Sequence, residues 1–168
     1  MSLLRLYPTI VVVFGLAASS ALAGECRDVL RPVLLENPPV RERVLEAQAL
    51  CTAEANAGDA DAVYQSALLH LGLLDWDPET AIPMIQAAAQ GGVAEAQYWL
   101  AWQYEEGPLL PDDAALARDW YERAGDNEHR LALDRLAAAY QNGELGLEID
   151  ADKSAEMRAR AERCKDQG

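Results

Sequence analysis

Small and apolar residues recur through most of this chain at intervals of three and four, the spacing that gathers side chains on one face of an α-helix. Ala96, Leu100, Ala101 and Tyr104 form one such stripe, and Gly107 follows where a helix-ending glycine belongs. Ala117, Trp120, Tyr121 and Ala124 form another. Ahead of it, after Pro111, Asp112 or Asp113 is placed to accept the free N–H groups of a helix start. Asp77 with Pro78, and Asp150 or Asp152, take the same opening position in the neighbouring stretches. The pattern predicts helix pairs at about 60–72 with 78–90, 93–106 with 113–124, and 129–142 with 152–164. Pro83 falls inside one of these helices, where its missing N–H should produce a kink. β-branched residues are sparse after Val44, so no sheet is expected.

The stripes repeat. Gly58, Asp61, Ala62 and Tyr64 are followed 34 residues later by Gly92, Glu95, Ala96 and Tyr98. Ala81, Met84 and Ala88 return 36 residues later as Ala117, Trp120 and Ala124. A weaker third copy sets Ala132, Leu136, Ala137, Tyr140 and Gly143 behind Ala96, Leu100, Ala101, Tyr104 and Gly107, again by 36. Each copy is one helical hairpin that cannot bury its apolar face alone, so stacked copies are expected to form an α-solenoid.

Upstream of the repeats, residues 26–36 carry an apolar stripe of Val29, Leu30, Val33 and Leu34; Pro38 and Pro39 then break the chain before a second helical stretch at 40–57. This pair is expected to cap the first repeat. If its two helices run antiparallel around the Pro-Pro turn, Cys26 and Cys51 lie side by side and can form a disulfide. Such a bond closes a loop of about 25 residues and contributes about 3 kcal/mol by the chain-entropy estimate. Cys164 is left over, and the odd count does not say whether it is free or paired.

At the N-terminus a lone Arg5 precedes an apolar stretch from Ile10 to Ala18, then small residues ending in Ala21, Leu22 and Ala23. The run is shorter than the ~20 residues of a spanning helix, and the A-x-A sequence reads as a signal-peptidase site of the bacterial form. Residues 1–23 are therefore expected to be removed, leaving no membrane anchor and a periplasmic or secreted protein. Gly24 and Glu25 separate the cut from Cys26, which argues against lipidation. The expected domain plan is the leader 1–23, a capping pair at 24–57, repeats at 58–91, 92–126 and 127–164, and a tail at 165–168.

The whole chain carries 14 basic and 28 acidic residues, a net charge of -14, and loss of Arg5 with the leader takes it to about -15. A surface of this sign repels nucleic acid and anionic headgroups, and it favours either plain solubility or a basic partner. The single Phe lies in the leader, so alanine, leucine, tryptophan and tyrosine must build the core.

The run A-Q-Y-x-L-A-x-x-Y-x-x-G from Ala96 to Gly107, followed by D-x-x-x-A-x-x-W-Y-x-x-A from Asp113 to Ala124, resembles a Sel-one-like repeat, a relative of the tetratricopeptide repeat. The resemblance covers about residues 56–164, strongest in the second copy and weakest in the third. Ser66 and His70 stand where the family pattern has Leu and Tyr, and Arg158 replaces an aromatic in the third copy. The implied fold is all-α, a right-handed solenoid of antiparallel helix pairs. In such stacks the first helix of each pair lines a concave face. That implies a stripe of Glu95, Tyr98, Trp102 and Glu105, with Asp61, Tyr64, Leu68 and Leu71 before it and Leu131, Asp134, Ala138 and Gln141 after it.

No G-x-S-x-G, H-E-x-x-H or phosphate-cradling glycine loop occurs, and no His/Cys/Asp cluster has metal-ligand spacing. His70 is expected to pack within a hairpin and His129 to sit at the surface near a loop. Trp120 and Tyr121 are assigned to the core. Glycines 72, 107 and 143 read as helix punctuation. The remaining candidates are Asp61, Tyr64, Glu95, Tyr98, Trp102 and Glu105, aromatics flanked by carboxylates that suit a peptide or protein carrying Lys or Arg. Those same aromatics could instead pack between repeats. The reading is a non-catalytic interaction module, without cofactor or metal, that acts as an adaptor; the alternative is an inhibitor or immunity-type protein that neutralises an enzyme or toxin. A hydrolase is the least supported class, for want of a nucleophile with a base.

Overall fold

The computed structural model describes residues 25–165; the expected leader lies outside them. Among the described residues there are eight helices: α1 (Glu25–Leu34), α2 (Arg41–Asn56), α3 (Ala60–Leu69), α4 (Pro78–Gln90), α5 (Ala94–Glu106), α6 (Ala114–Asp126), α7 (Arg130–Asn142) and α8 (Ala151–Lys165). Each helix packs on the next in chain order, and α1 also touches α3, so the hairpins stack into an α-solenoid. The only strand-like pairing among these residues is an isolated antiparallel bridge between Leu71 and Trp76 in the α3–α4 loop.

Aspartates start most of the later helices. Asp59 accepts from the amide of Ala62, Asp77 from Thr80, Asp113 from Ala115 and Leu116, and Asp150 from Asp152 and Lys153. Each satisfies N–H groups that the helix itself cannot, and a negative charge there meets the positive end of the helix dipole. α4 continues through Pro83, as α1 does through Pro32.

Helix ends are less uniform than the sequence implies. Gly143 closes α7 at φ 73°, a left-handed conformation that glycine adopts without a Cβ penalty. Gly107, its periodic counterpart, closes α5 in an extended conformation at φ -80°; glycine is needed there because a Cβ would run into Gln103. The two glycines answer to different constraints, which a common spacing cannot reveal.

The core is a chain of three clusters built from alanine and a few large side chains. Cys26, Leu30, Val33, Val44, Ala47 and Cys51 join α1 and α2, and Ala62 and Leu69 extend that cluster into α3. Tyr64, Ala67, Ile85, Ala88 and Leu100 fill the middle. Ala101, Ala117, Tyr121, Ala124, Ala132 and Leu136 fill the C-terminal third. Alanines at near-zero exposure let backbones approach closely while Tyr121, Leu30, Ile85 and Leu100 occupy the gaps. Cys26 and Cys51 are bonded to each other, which fixes α1 to α2 inside the first cluster. Cys164 is free and half-buried.

Candidate interaction face

Contacts between side chains of the odd-numbered helices put α1, α3, α5 and α7 on a common face. Arg27 of α1 donates from Nε to Asp61 Oδ2 of α3 at 3.0 Å and pairs with the other oxygen of the same carboxylate. Its Nη2 also reaches Glu95 Oε1 of α5 at 3.6 Å. These three residues occupy one position in successive first helices, 34 residues apart each time. The bond to Asp61 raises the Arg27 guanidinium above its ordinary range. Two shallow hollows of about 550 and about 250 Å³ open on this face, and Arg27 and Glu95 line both.

At the other end of the face, Glu105 of α5 accepts from Tyr121 Oη at 2.8 Å and from Arg135 Nε of α7 at 2.8 Å. Arg135 donates onward to Glu144 at 2.7 Å. The Glu105 bond holds the Arg135 guanidinium above its ordinary range, and hydrogen bonds from Asn142 and then Arg135 hold the Glu144 carboxyl below its own. Burial, and then the bond to Glu105, push the Tyr121 hydroxyl far up. Tyr121 is buried, as assigned, while Trp120 is half-buried with the Arg123 guanidinium 4.7 Å over its ring.

The six candidate residues therefore divide. Tyr64 is only 8 % exposed and packs in the middle cluster, so its ring offers no ligand surface, a correction to the sequence reading. Burial raises its hydroxyl to about 12, with the Glu95 and Asp61 charges adding to the shift. The carboxylates of Asp61 and Glu105 are engaged by the protein's own arginines. Tyr98 is half-buried, stacked on His129 and tilted against Tyr121. Trp102 remains 37 % exposed, and the side chain of Glu95 46 %. What stays open to a partner is an aromatic anchor with one loosely held carboxylate on the same helix.

The two histidines differ in their settings. His70 is the C-cap of α3, its side chain 23 % exposed and its Nδ1 3.0 Å from Asp75 in the loop of the same α3–α4 hairpin. His129 is half-buried; it caps α7, accepting the Ala132 N–H at Nδ1, and covers the face of Tyr98. Trp76, 65 % exposed in the α3–α4 loop, is a large apolar surface that the helical pattern does not single out. Among the described residues no group of three or more His, Cys, Asp or Glu is placed to hold a metal ion. None of the described helices is long and apolar enough to cross a membrane.

No family model matches the sequence, and no curated protein does. Among solved structures, the crystal structure of a Sel1 repeat protein from Oxalobacter formigenes is similar, at 28 % identity and a TM-score of 0.62 over 70 % of this chain and 92 % of that one. Stacked helix pairs, an internal period of 34 to 36 residues and this likeness support a Sel1-like repeat helical protein, and the chain is similar to that repeat protein in fold.

Proposed function

We propose that this protein is an exported, non-catalytic adaptor that binds a protein or peptide with a basic surface on the face of its odd-numbered helices. A Sel1-like helical repeat is a protein–protein interaction module, and stacked hairpins offer an extended surface for that purpose. The observation that carries the reading is Trp102: it stays 37 % exposed on α5 while Tyr64 and Tyr121 are drawn into the core. An aromatic standing on a rigid helix is a favourable anchor, and Glu95 on the same helix adds attraction for Lys or Arg. The net charge of -14 supports a cationic partner and disfavours nucleic acid. A periplasmic or secreted location is supported by the leader pattern and by the bonded Cys26 and Cys51, since disulfides persist in oxidising compartments. The reading needs no cofactor and no metal.

The test is selection from a random peptide display library on the chain from Gly24 onward, in parallel with Trp102→Ala. Enrichment of Lys- and Arg-containing peptides by the wild type alone, weakening between low and moderate salt, is the expected result. Enrichment of neutral or acidic peptides, or the same peptides on both proteins, overturns it.

A further inference from the structure

Consecutive helices pack on one another and reverse direction at each connection, so the loops inside the four hairpins lie along one edge of the solenoid. Three of these loops close alike. The amide of Asp77 donates to the carbonyl of His70, that of Asp113 to Tyr104 and that of Asp150 to Tyr140, each at 2.8 Å. The residue just ahead of the closing aspartate therefore stands at one place in successive hairpins; it is Trp76, then Asp112, then Ile149. Among the described residues the most exposed large apolar side chains are Leu35 at 80 %, Ile149 at 73 % and Trp76 at 65 %, and all three belong to this edge. The turns along the opposite edge, at 57–59, 91–93 and 127–129, expose no large apolar side chain. One exposed apolar residue is ordinary, but exposure that recurs in hairpin after hairpin makes a row.

The row is held in place by its own loops. Backbone pairing bridges Trp76 to Leu71, and Ile149 lies so close to Gly143 that a Cβ there would come within 3.2 Å of its Cγ1. A surface ordered in advance loses little freedom when a partner docks. Its charge is one-sided. The four loops, at 35–40, 70–77, 107–113 and 143–150, hold eight acidic residues and no Lys or Arg. Arg43 and Arg135 reach Glu36 and Glu144 from neighbouring helices, but the exposed Asp112 and Glu148 pair with no cation among the described residues. We propose that this loop edge is a second docking surface, which takes a protein segment carrying apolar residues interspersed with Lys or Arg. With hairpins about 10 Å apart, Trp76 and Ile149 are separated by about 20 Å, a span that about six residues of extended chain cover. A second copy of this chain would set carboxylates against carboxylates, and anionic headgroups would be repelled in the same way. The edge goes beyond the reading above and uses none of the residues of the α5 anchor.

Three synthetic peptides of about 12 residues serve as probes, one alternating Lys with Leu, one Lys with Ser and one Glu with Leu, titrated calorimetrically into the chain from Gly24 onward. Only the Lys/Leu peptide is expected to bind well. Replacing Trp76 and Ile149 together by Ser should weaken it by about 10-fold or more, whereas Trp102→Ala should change it by about 2-fold or less. Asp112→Asn with Glu148→Gln should weaken it by about 2- to 5-fold at low salt and have little effect at high salt. Circular dichroism confirms that the variants keep their helices. Equal binding of the Lys/Ser peptide, or no binding of the Lys/Leu peptide, overturns the inference. A loss in Trp102→Ala with none in the Trp76, Ile149 variant moves the contact to α5, which removes this edge and leaves the function proposed above standing. Sedimentation and vesicle pelleting cover the other occupants: a dimer that the Trp76, Ile149 variant dissolves, or phosphatidylglycerol vesicles that only the wild type pellets with, also overturns it.

Discussion

Tyr98 and His129 stack with ring centroids 4.5 Å apart and planes inclined by 19°, and the same imidazole accepts the N–H of Ala132 that begins α7. One side chain therefore joins the second repeat to the third and caps the third repeat's first helix. The acceptor nitrogen must be unprotonated for that cap. Burial lowers the His129 pKa, outweighing the attraction of Glu95, and Arg130 lowers it further.

The sign of the resulting pH dependence follows. The unfolded chain takes up a proton near the ordinary histidine value of about 6.5, and the folded chain does so only at lower pH. Between those points the unfolded state binds more protons, so stability is greatest above about 6.5 and declines as pH falls through that window. Urea denaturation of the wild type and His129→Asn, which can still cap but does not titrate in this range, should show a gap favouring the wild type at pH 8 that narrows at pH 5. A gap independent of pH would assign the titration elsewhere.

The bond from Arg135 to Glu105 should behave as a partly buried pair. Their side chains are 24 % and 16 % exposed, and Glu105 also accepts from Tyr121. Arg135→Met leaves the carboxylate half-buried with a single donor, at a cost of about 1–3 kcal/mol. Adding Glu105→Gln should recover part of that loss, because the uncompensated charge is gone. Chemical denaturation of the single and double variants measures the coupling, and strictly additive losses would show that the two residues do not act as a pair.

Local features were the legible ones. The Asp77 cap and the Ala117, Trp120, Tyr121, Ala124 stripe are decided by residues within a turn or two of each other, so their helices were placed by spacing alone. Electrostatic pairing across repeats was not legible by that route, because Arg27 meets Asp61 over 34 residues and Arg135 meets Glu105 over 30. The repeat period does hold a signal for the first: Arg27, Asp61 and Glu95 share one phase, which sets opposite charges on neighbouring first helices. For Arg135 and for the Tyr98–His129 stack there is none, since each depends on how far one hairpin is rotated against the next. The stripe is not free ligand surface at Tyr64, because that ring fills the middle cluster, and its counterpart 34 residues on, Tyr98, is half-buried against His129 and Tyr121.

Tyr64 and Trp102 are expected to separate stability from recognition. Tyr64→Ala empties a site in the middle cluster and should cost about 3 kcal/mol or more of stability. Trp102→Ala removes a ring already more than a third in solvent and should cost about 1 kcal/mol or less of stability, yet about 2 kcal/mol or more of affinity for a selected basic peptide. Thermal melts and titration calorimetry on both variants supply the comparison; a Trp102→Ala protein that binds normally would move the contact away from α5.

Arg27 presents the sharpest case, because it occupies with its own charge the carboxylates that a cationic partner would use. Its side chain is 45 % exposed, so its pairs with Asp61 and Glu95 are well solvated. Arg27→Ala should therefore lower stability by only about 0–1 kcal/mol. Removing the guanidinium leaves two carboxylates uncompensated on the proposed interaction face and should raise affinity for a Lys- or Arg-bearing peptide by about 2- to 5-fold at low salt. Glu95→Gln in the Arg27→Ala background should return the affinity toward the wild-type value, since the gain comes from exposed negative charge. If Arg27→Ala instead weakens binding while the melt is unchanged, Arg27 is itself a contact and the partner is acidic, which reverses the assigned chemistry of this face.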